Sequence, residues 1–409
     1  MTPADLRQSL PRFENFVQRF APLLGDDSRP ARAAAYLRGL LLDAESTKTA
    51  EAIALTVHGT PTQVRMTQVF LSQSPWPDQP LRHELACWVD AELGDANNGV
   101  LVVDESSFVK CGTKSVGVAR QYCGSVGKLA NGQVAVYLSY AGPGGHTLLD
   151  TRLYLGEDWA ADQQRRQEAG VPADIVFRTK PELAAELLRR VGPLVRHGWV
   201  TFDEGYGKDP DFLRDLEERG EHYIGEVPKS VRGWLERPVV EEPTVGRTGR
   251  PRHKARVRPG EPAPQTAETL LAGLPAAAWQ RYTFREGSQG PQQAEFARVR
   301  FHVERDDLPG PELWLVFERR REQQTPVKYY LSNAERRCPL LTMVQVGHTR
   351  WTVEDSFLRG KQEVGLDDYE VRGWRGWHHH MTLSLLALWF LVLEQRRLGK
   401  KNADRNDGA

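Results

Sequence analysis

Apolar residues recur at helical spacing from Ala31 to Asp43 and again from Thr49 to Val57. Gly59 breaks the second run. Thr60-Pro61-Thr62-Gln63 then reads as a capping box with proline at the first helical position, opening a third helix to Leu71. Helix, short glycine-containing turn and helix is the outline of a helix-turn-helix, and equally of a small helical bundle. Ser74-Pro75-Trp76-Pro77 closes the stretch. Residues 1–95 therefore read as an N-terminal helical domain and a candidate DNA-binding domain.

From Gly99 the pattern changes to strands. Val100-Leu101-Val102-Val103 is a continuous apolar run ending on Asp104, Ser115–Tyr122 and Gln133–Tyr140 alternate, and Thr147–Leu155 is a fourth candidate. Pro181–Val195 reads as a helix. Trp199-Val200-Thr201-Phe202 is a short strand ending on Asp203; Pro210–Arg219 is helical and Tyr223–Val227 a strand. This order suggests an α/β fold with a mixed sheet. Residues 96–228 form its first part. Residues 229–325 interrupt it as a β-rich insertion, with an exposed loop of Pro, Gly and Arg over Glu242–Pro264 and strands at Ala294–Glu304 and Glu312–Arg319. Residues 326–398 resume it, with a strand at Val327–Leu331 and helices at Arg350–Val364 and Gly376–Arg397. Residues 399–409 are a polar tail, expected to fray from Lys400.

Composition narrows the partners. Lys+Arg and Asp+Glu are both 54 in 409 residues, so a uniformly basic DNA-coating protein is excluded while a local basic groove is not. The four cysteines include no CxxC pair, which argues against a zinc site or disulfide framework and for a reducing cytoplasm. The longest apolar run, Met381–Leu393, is shorter than the ~20 residues a bilayer span needs, so it reads as a buried helix and no membrane partner is expected.

Asp104 and Asp203 each end an apolar strand, where α/β folds build sites. Two such acids can share the divalent cations that serve phosphoryl transfer on DNA, and magnesium suits oxygen ligands. An aspartate after a strand is also an ordinary turn or cap residue. On a helix beginning near Arg350, residues Arg350, Glu354 and Lys361 fall at about 0°, 40° and 20° on the wheel. A carboxylate and two cations there fit metal and phosphate binding, or a charged face with i,i+4 pairing. Phe357 falls in the same stripe. Arg250, Arg252 and Lys254 lie in a basic Gly-Arg-Pro loop that fits a minor-groove hook, nonspecific phosphate contact or a solvated connector. His378-His379-His380 point about 100° apart on a helix and do not suit one ion. Trp234, Trp279 and Trp314 suit either the core of the insertion or base stacking.

Several longer blocks resemble the DDE transposases of bacterial insertion sequences, in the family numbered seven hundred and one, a relative of the fourth. They are Ser115-Val116-Gly117-Val118-Ala119-Arg120-Gln121-Tyr122, Asp203-Glu204-Gly205-Tyr206-Gly207, and Gly365-Leu366-Asp367-Asp368-Tyr369-Glu370-Val371-Arg372 with Gly376-Trp377-His378. Arg350, Glu354 and Lys361 match the related families' Tyr-Arg-Glu-Lys spacing, with Gly347 in place of the tyrosine. The resemblance implies an RNase H-like catalytic core with Asp104, Asp203 and Glu354 as the acidic triad. It implies Mg2+, for which Mn2+ can substitute, and cleavage and strand transfer of double-stranded DNA at terminal inverted repeats and a target. A homodimer in the DNA complex and a cytoplasmic, nucleoid-associated bacterial location are expected with it. The rival readings are a non-mobile nuclease on the same fold and a domesticated DNA-binding repressor.

Overall fold

The computed structural model describes residues 3–42, 47–243, 254–287, 290–320 and 327–406. They fall into two compact units, residues 1–197 with 351–409 and residues 198–350. The first unit opens with helices α1 (Pro3–Phe20), α2 (Arg29–Leu41), α3 (Ala50–His58), α4 (Pro61–Ser72) and α5 (Asp78–Leu93). Gly59 ends α3 in the left-handed region at φ 71°, the conformation that favours glycine after a helix. Pro61 takes the first position of α4, but the expected capping box does not form there. Gln63 N–H instead donates to the Thr60 backbone carbonyl at 3.1 Å, and the Thr60 side chain makes no cap bond.

Strands β1 (Val100–Val109), β2 (Ala119–Cys123), β3 (Lys128–Gly142) and β4 (Gly145–Leu153) follow, then helices α6 (Glu157–Ala161), α7 (Gln163–Glu168) and α8 (Lys180–Val191). β3 is the hub. Antiparallel β1 lines one edge, from Val100 opposite Ala141 to Val109 opposite Gly132, while β2 and β4 share the other edge. A capping box does occur in this unit, at Thr179 and Glu182 opening α8.

The second unit begins with β5 (Trp199–Phe202), α9 (Glu204–Gly207), α10 (Pro210–Glu218) and β6 (Tyr223–Val227), and β5 pairs with β6 in parallel. It continues through β7 (Arg232–Trp234), β8 (Val240–Glu241), β9 (Arg256–Val257), β10 (Gln265–Thr266), α11 (Ala267–Ala272), β11 (Gln280–Gly287), β12 (Gly290–Arg305), β13 (Leu308–Arg319), β14 (Lys328–Ser332) and α12 (Leu340–His348). β12 and β13 outrun the strands expected within them. They belong to the same sheet as β6, because β13 pairs with β14 and β14 with β6. The turn between β12 and β13 places Asp306 and Asp307 at φ 52° and 61°, the sign a two-residue hairpin turn demands and aspartate tolerates.

The chain returns to the first unit with α13 (Trp351–Val364) and α14 (Trp374–Asn406). α14 extends to Asn406, into the stretch expected as a polar tail. Its middle is the buried apolar run read from the sequence, and among the described residues no helix is long and apolar enough to cross a membrane. A meander of antiparallel strands followed by a parallel strand pair and helices makes this a mixed α/β protein of the RNase H-like class.

Helices cover the sheet of the first unit: α8 packs on β3 and β4, and α13 and α14 pack on β4. Residues 132–141 of β3 are consequently buried throughout, and the alternation read over Gln133–Tyr140 does not divide a wet face from a dry one. The helices are tied down through Asp150 of β4. Its carboxylate accepts from Arg82 of α5 at 2.6 Å and Arg190 of α8 at 2.7 Å, while Arg82 also donates to Thr382 of α14 at 2.6 Å. Arg82 and Asp150 are both nearly inaccessible, and each keeps a second partner, Asp78 for Arg82 at 2.6 Å and Arg190 for Asp150, so the charges are compensated as a network and not as one pair.

The three histidines of α14 each turn to a different neighbour. Nδ1 of His378 faces the Trp374 carbonyl at 2.9 Å. His379 lies between the carbonyls of Leu71 and Trp76 and stacks on the Trp76 ring. His380 meets the Tyr36 hydroxyl at 2.9 Å and the Gly365 carbonyl at 3.1 Å. Burial pushes His378 and His380 down to about 3, and His379 to about 4. An unfolded chain accepts these protons from about pH 6.5 downward, so acidification through that window favours unfolding, by up to about 1.4 kcal/mol per pH unit for each histidine. Thermal unfolding should therefore move to lower temperature between pH 6.5 and 4.5, above the range where carboxylates protonate. A midpoint flat across that interval would show that these rings are not held neutral.

Candidate active site

In the first unit the site is built on β1. Asp104 does not end the strand as expected. β1 runs on to Val109, because Glu105 to Val109 keep their pairing with β3, so Asp104 sits mid-strand. The residue is 8% exposed, and its carboxylate accepts from the Glu105 N–H at 2.7 Å. Directly opposite on β3 is Tyr137, and residues opposed in register project from the same sheet face. The Tyr137 ring meets Phe357 of α13 edge-on, 5.0 Å between centroids. Phe357, which shares the Glu354–Lys361 stripe of that helix, is the side chain that seats the helix on the sheet. Two turns after Glu354, Lys361 lies 5.4 Å from the Phe108 ring and 3.4 Å from the Ser107 carbonyl, and its burial lowers its pKa. His146 of β4 holds the same helix through the Ser356 hydroxyl at 2.9 Å. Glu354 is exposed in the otherwise covered first turn, while Glu363 is ion-paired with Arg359 at 3.2 Å.

Arg350 is not on this helix. A turn at Thr349-Arg350 separates α12 from α13, with Thr349 closing α12 on the Gln345 carbonyl at 3.0 Å, so the wheel argument holds for Glu354 and Lys361 only. In the second unit, Asp203 does follow its strand. It caps α9 by accepting from Gly205 N–H at 2.9 Å. The local Gly-Tyr-Gly has a steric origin: a Cβ at Gly207 would lie 2.0 Å from the Glu226 carbonyl oxygen, whereas one at Gly205 would meet only the Asp203 carboxylate at 3.0 Å. Gly347, where the resemblance expects tyrosine, faces the Ile224 side chain of β6, and a Cβ there would make ordinary contact at 3.7 Å. Of the basic loop, Arg250 and Arg252 lie outside the described residues, and Lys254 is exposed. Trp234 is buried, but Trp279 and Trp314 are only half-buried, covered by the guanidinium groups of Arg319 at 3.7 Å and Arg298 at 4.0 Å.

One basic side chain escaped the sequence reading. Lys110 directly follows β1, one residue past Val109, where its N–H donates to the Asn131 carbonyl at 3.0 Å. Its ammonium sits 3.4 Å from the Tyr369 ring centre and donates to the Tyr369 carbonyl at 3.0 Å, and burial lowers it to about 8. It opens onto a polar groove of about 610 Å³ with Arg65 and Arg372.

Residues 19–291 match the family described as DDE superfamily endonuclease. The chain belongs to that family. The matched residues of this DDE endonuclease include Asp104 and Asp203 and stop before Glu354. The probable transposase for insertion sequence element IS701 of Microchaete diplosiphon is 30% identical over 171 residues, 39% of this chain and 42% of that protein. The chain thus spans under half the length of that relative. A NurA nuclease from Sulfolobus solfataricus aligns over 73% of this chain and 91% of its own at 10% identity, but its TM-score of 0.28 carries no structural argument. Carboxylates are hard oxygen donors, and the donor chemistry of Asp104, Asp203 and Glu354 fits magnesium or manganese. Among the described residues no three His, Cys, Asp or Glu side chains are gathered as a metal cluster.

The glycine geometry makes a prediction. Gly207→Ala should destabilise the protein by about 1–3 kcal/mol, since a backbone carbonyl blocks the added methyl. Gly205→Ala should cost less, because a side chain can yield. Denaturant unfolding of the two variants checks this, and equal costs would contradict the packing described.

Proposed function

We propose that this DDE endonuclease is a transposase that binds the terminal inverted repeats of its own insertion sequence, cuts at their ends and joins them to target DNA. The observation that carries this reading is the seating of the Glu354–Lys361 helix against the sheet face of Asp104, in a chain whose family is that of DDE endonucleases. Asp104, Asp203 and Glu354 would hold two divalent cations, Mg2+ or Mn2+. These would supply Lewis acidity to the phosphoryl group, and as each keeps several waters, few carboxylates suffice. Lys361 and Arg350 orient the phosphate and offset its developing charge. Water adds to phosphorus as the bond to the 3′ oxygen breaks, leaving a 3′-hydroxyl and a 5′-phosphate. That hydroxyl then attacks a target phosphodiester, and a new P–O bond forms as the target's 3′ oxygen leaves. The helices of residues 1–95 and the Arg250, Arg252 and Lys254 loop of the 229–325 insertion bind duplex DNA, residues 96–228 and 326–398 carry the catalysis, and two copies act together on paired ends in the bacterial cytoplasm.

Asp104→Asn, Asp203→Asn and Glu354→Gln should each lower cutting and joining of a duplex carrying the repeat end by at least about 10³-fold, while repeat binding stays within a few-fold. A Glu354→Gln protein that joins ends at the wild-type rate would remove Glu354 from the triad. Loss of binding in all three would point to a structural role. Neutralising Arg250, Arg252 and Lys254 together should make the log–log salt dependence of binding shallower, by about 0.9 for each phosphate no longer neutralised. An unchanged slope leaves the loop a connector.

A further inference from the structure

The β2–β3 hairpin stands out of the first unit in shape and in charge. β1 ends at Val109 opposite Gly132, yet β3 continues back to Lys128 with β2 as its remaining partner. Residues 119–131 are therefore a two-stranded ribbon beyond the end of β1. An isolated ribbon of this kind is marginal in water, and this one is pinned at its root. Asn131 donates to the carbonyls of Lys110 and Gly112 at 2.7 and 2.8 Å, and Ser125 contacts Ser107 at 3.1 Å.

The ribbon exposes large apolar side chains where a soluble surface gains nothing from them. Tyr122 and Leu129, opposed in register, are 56% and 59% exposed. Arg120 lies on the same face, opposite Asn131, and Lys128 extends from the other. Both cations are exposed, and no carboxylate pairs with either among the described residues. The charge around them is one-sided. From Ser106 to Leu149 the sequence has no Asp or Glu, where a chain with 54 in 409 would place about six; of its four Lys and Arg, Lys114 pairs with Glu168 at 3.2 Å and Lys110 is half-buried against Tyr369, which leaves Arg120 and Lys128 as the exposed, uncompensated charge of the ribbon. Such a patch repels cations and attracts a polyanion. Its aromatic and aliphatic tip suits a DNA groove, which admits a two-stranded ribbon and takes apolar contacts at its floor.

We infer that the β2–β3 hairpin is a DNA-gripping ribbon, with Arg120 and Lys128 on phosphates and Tyr122 and Leu129 in the groove of duplex flanking the bond that is cut. Its reach follows from the register. Leu129 lies eight residues along β3 from Tyr137, the partner of Asp104, or about 26 Å at ~3.3 Å per residue. At ~3.4 Å per base pair the ribbon tip falls about seven to eight base pairs from the scissile phosphate. The distance in base pairs rests on the proposed role of Asp104; the grip itself does not.

The test uses the full chain and a duplex carrying the repeat end, probed by hydroxyl-radical footprinting. Arg120→Ala with Lys128→Ala, and separately Tyr122→Ala with Leu129→Ser, should remove one patch of protection about seven to eight base pairs from the cut and keep the rest. The charge pair should also make the salt slope shallower by about 1.8, the value for two phosphates. Arg120→Lys with Lys128→Arg should restore the patch, and thermal melting separates misfolded variants from informative ones. A full wild-type footprint with folded variants overturns the inference. So does a change of oligomeric state without DNA, in light scattering, which would make the tip an interface between copies of this chain. Asp104→Asn is the separate control: wild-type cutting by that variant overturns the catalytic reading and leaves the ribbon's footprint to stand or fall alone.

Discussion

One buried carboxylate, Asp150, holds the first unit in register. Arg82 and Arg190 reach it from two helices, and Arg82 passes the connection on to Thr382 of a third. Such an arrangement is a weak net source of stability, because desolvating the charges costs about as much as their attraction returns. Its geometric demand is strict: each partner needs the others in place. Helices of the N-terminal, middle and C-terminal segments are thereby clamped to one strand, and the sheet beneath them is buried along its centre. Chemistry on that sheet is confined to the face where α13 arrives.

The confinement explains the form of the site. Asp104 is nearly buried in mid-strand. Its neighbour across the sheet, Tyr137, receives Phe357, and this packing orients the helix that carries an exposed Glu354 in its first turn and Lys361 over β1. A packing residue and the candidate catalytic residues thus share one stripe. Asp203 is set by a different device, a helix cap made possible by glycines that let the chain approach β6.

Much of this was legible in the sequence. Long periodic runs located α2, α3, α4, α10 and α14, and β6 falls on the expected residues, because apolar spacing reports burial directly. What failed were boundaries decided by partners. Val100–Val103 stops being apolar at Asp104, yet pairing with β3 carries β1 five residues further. Arg350 fits the helical wheel, yet Thr349 closes the preceding helix and leaves it in a turn. Thr60 has the letters of a capping box, while a backbone carbonyl takes the bond. Lys110 and the protruding hairpin were hidden for the same reason. Both depend on where β1 ends relative to β3, a register that no local pattern contains. Family resemblance supplied the triad, and local chemistry alone left each acid with an ordinary structural alternative.

The central proposal is that Asp104, Asp203 and Glu354 serve one shared site for two divalent cations. The most direct measurement replaces Mg2+ with Fe2+ and, with ascorbate and peroxide, maps where the bound iron cuts the polypeptide. Cleavage clustered near residues 104, 203 and 354, suppressed by excess Mg2+ and by Asp104→Asn, is the result expected. Cleavage at one or two of these places only, or at sites unrelated to them, would contradict it.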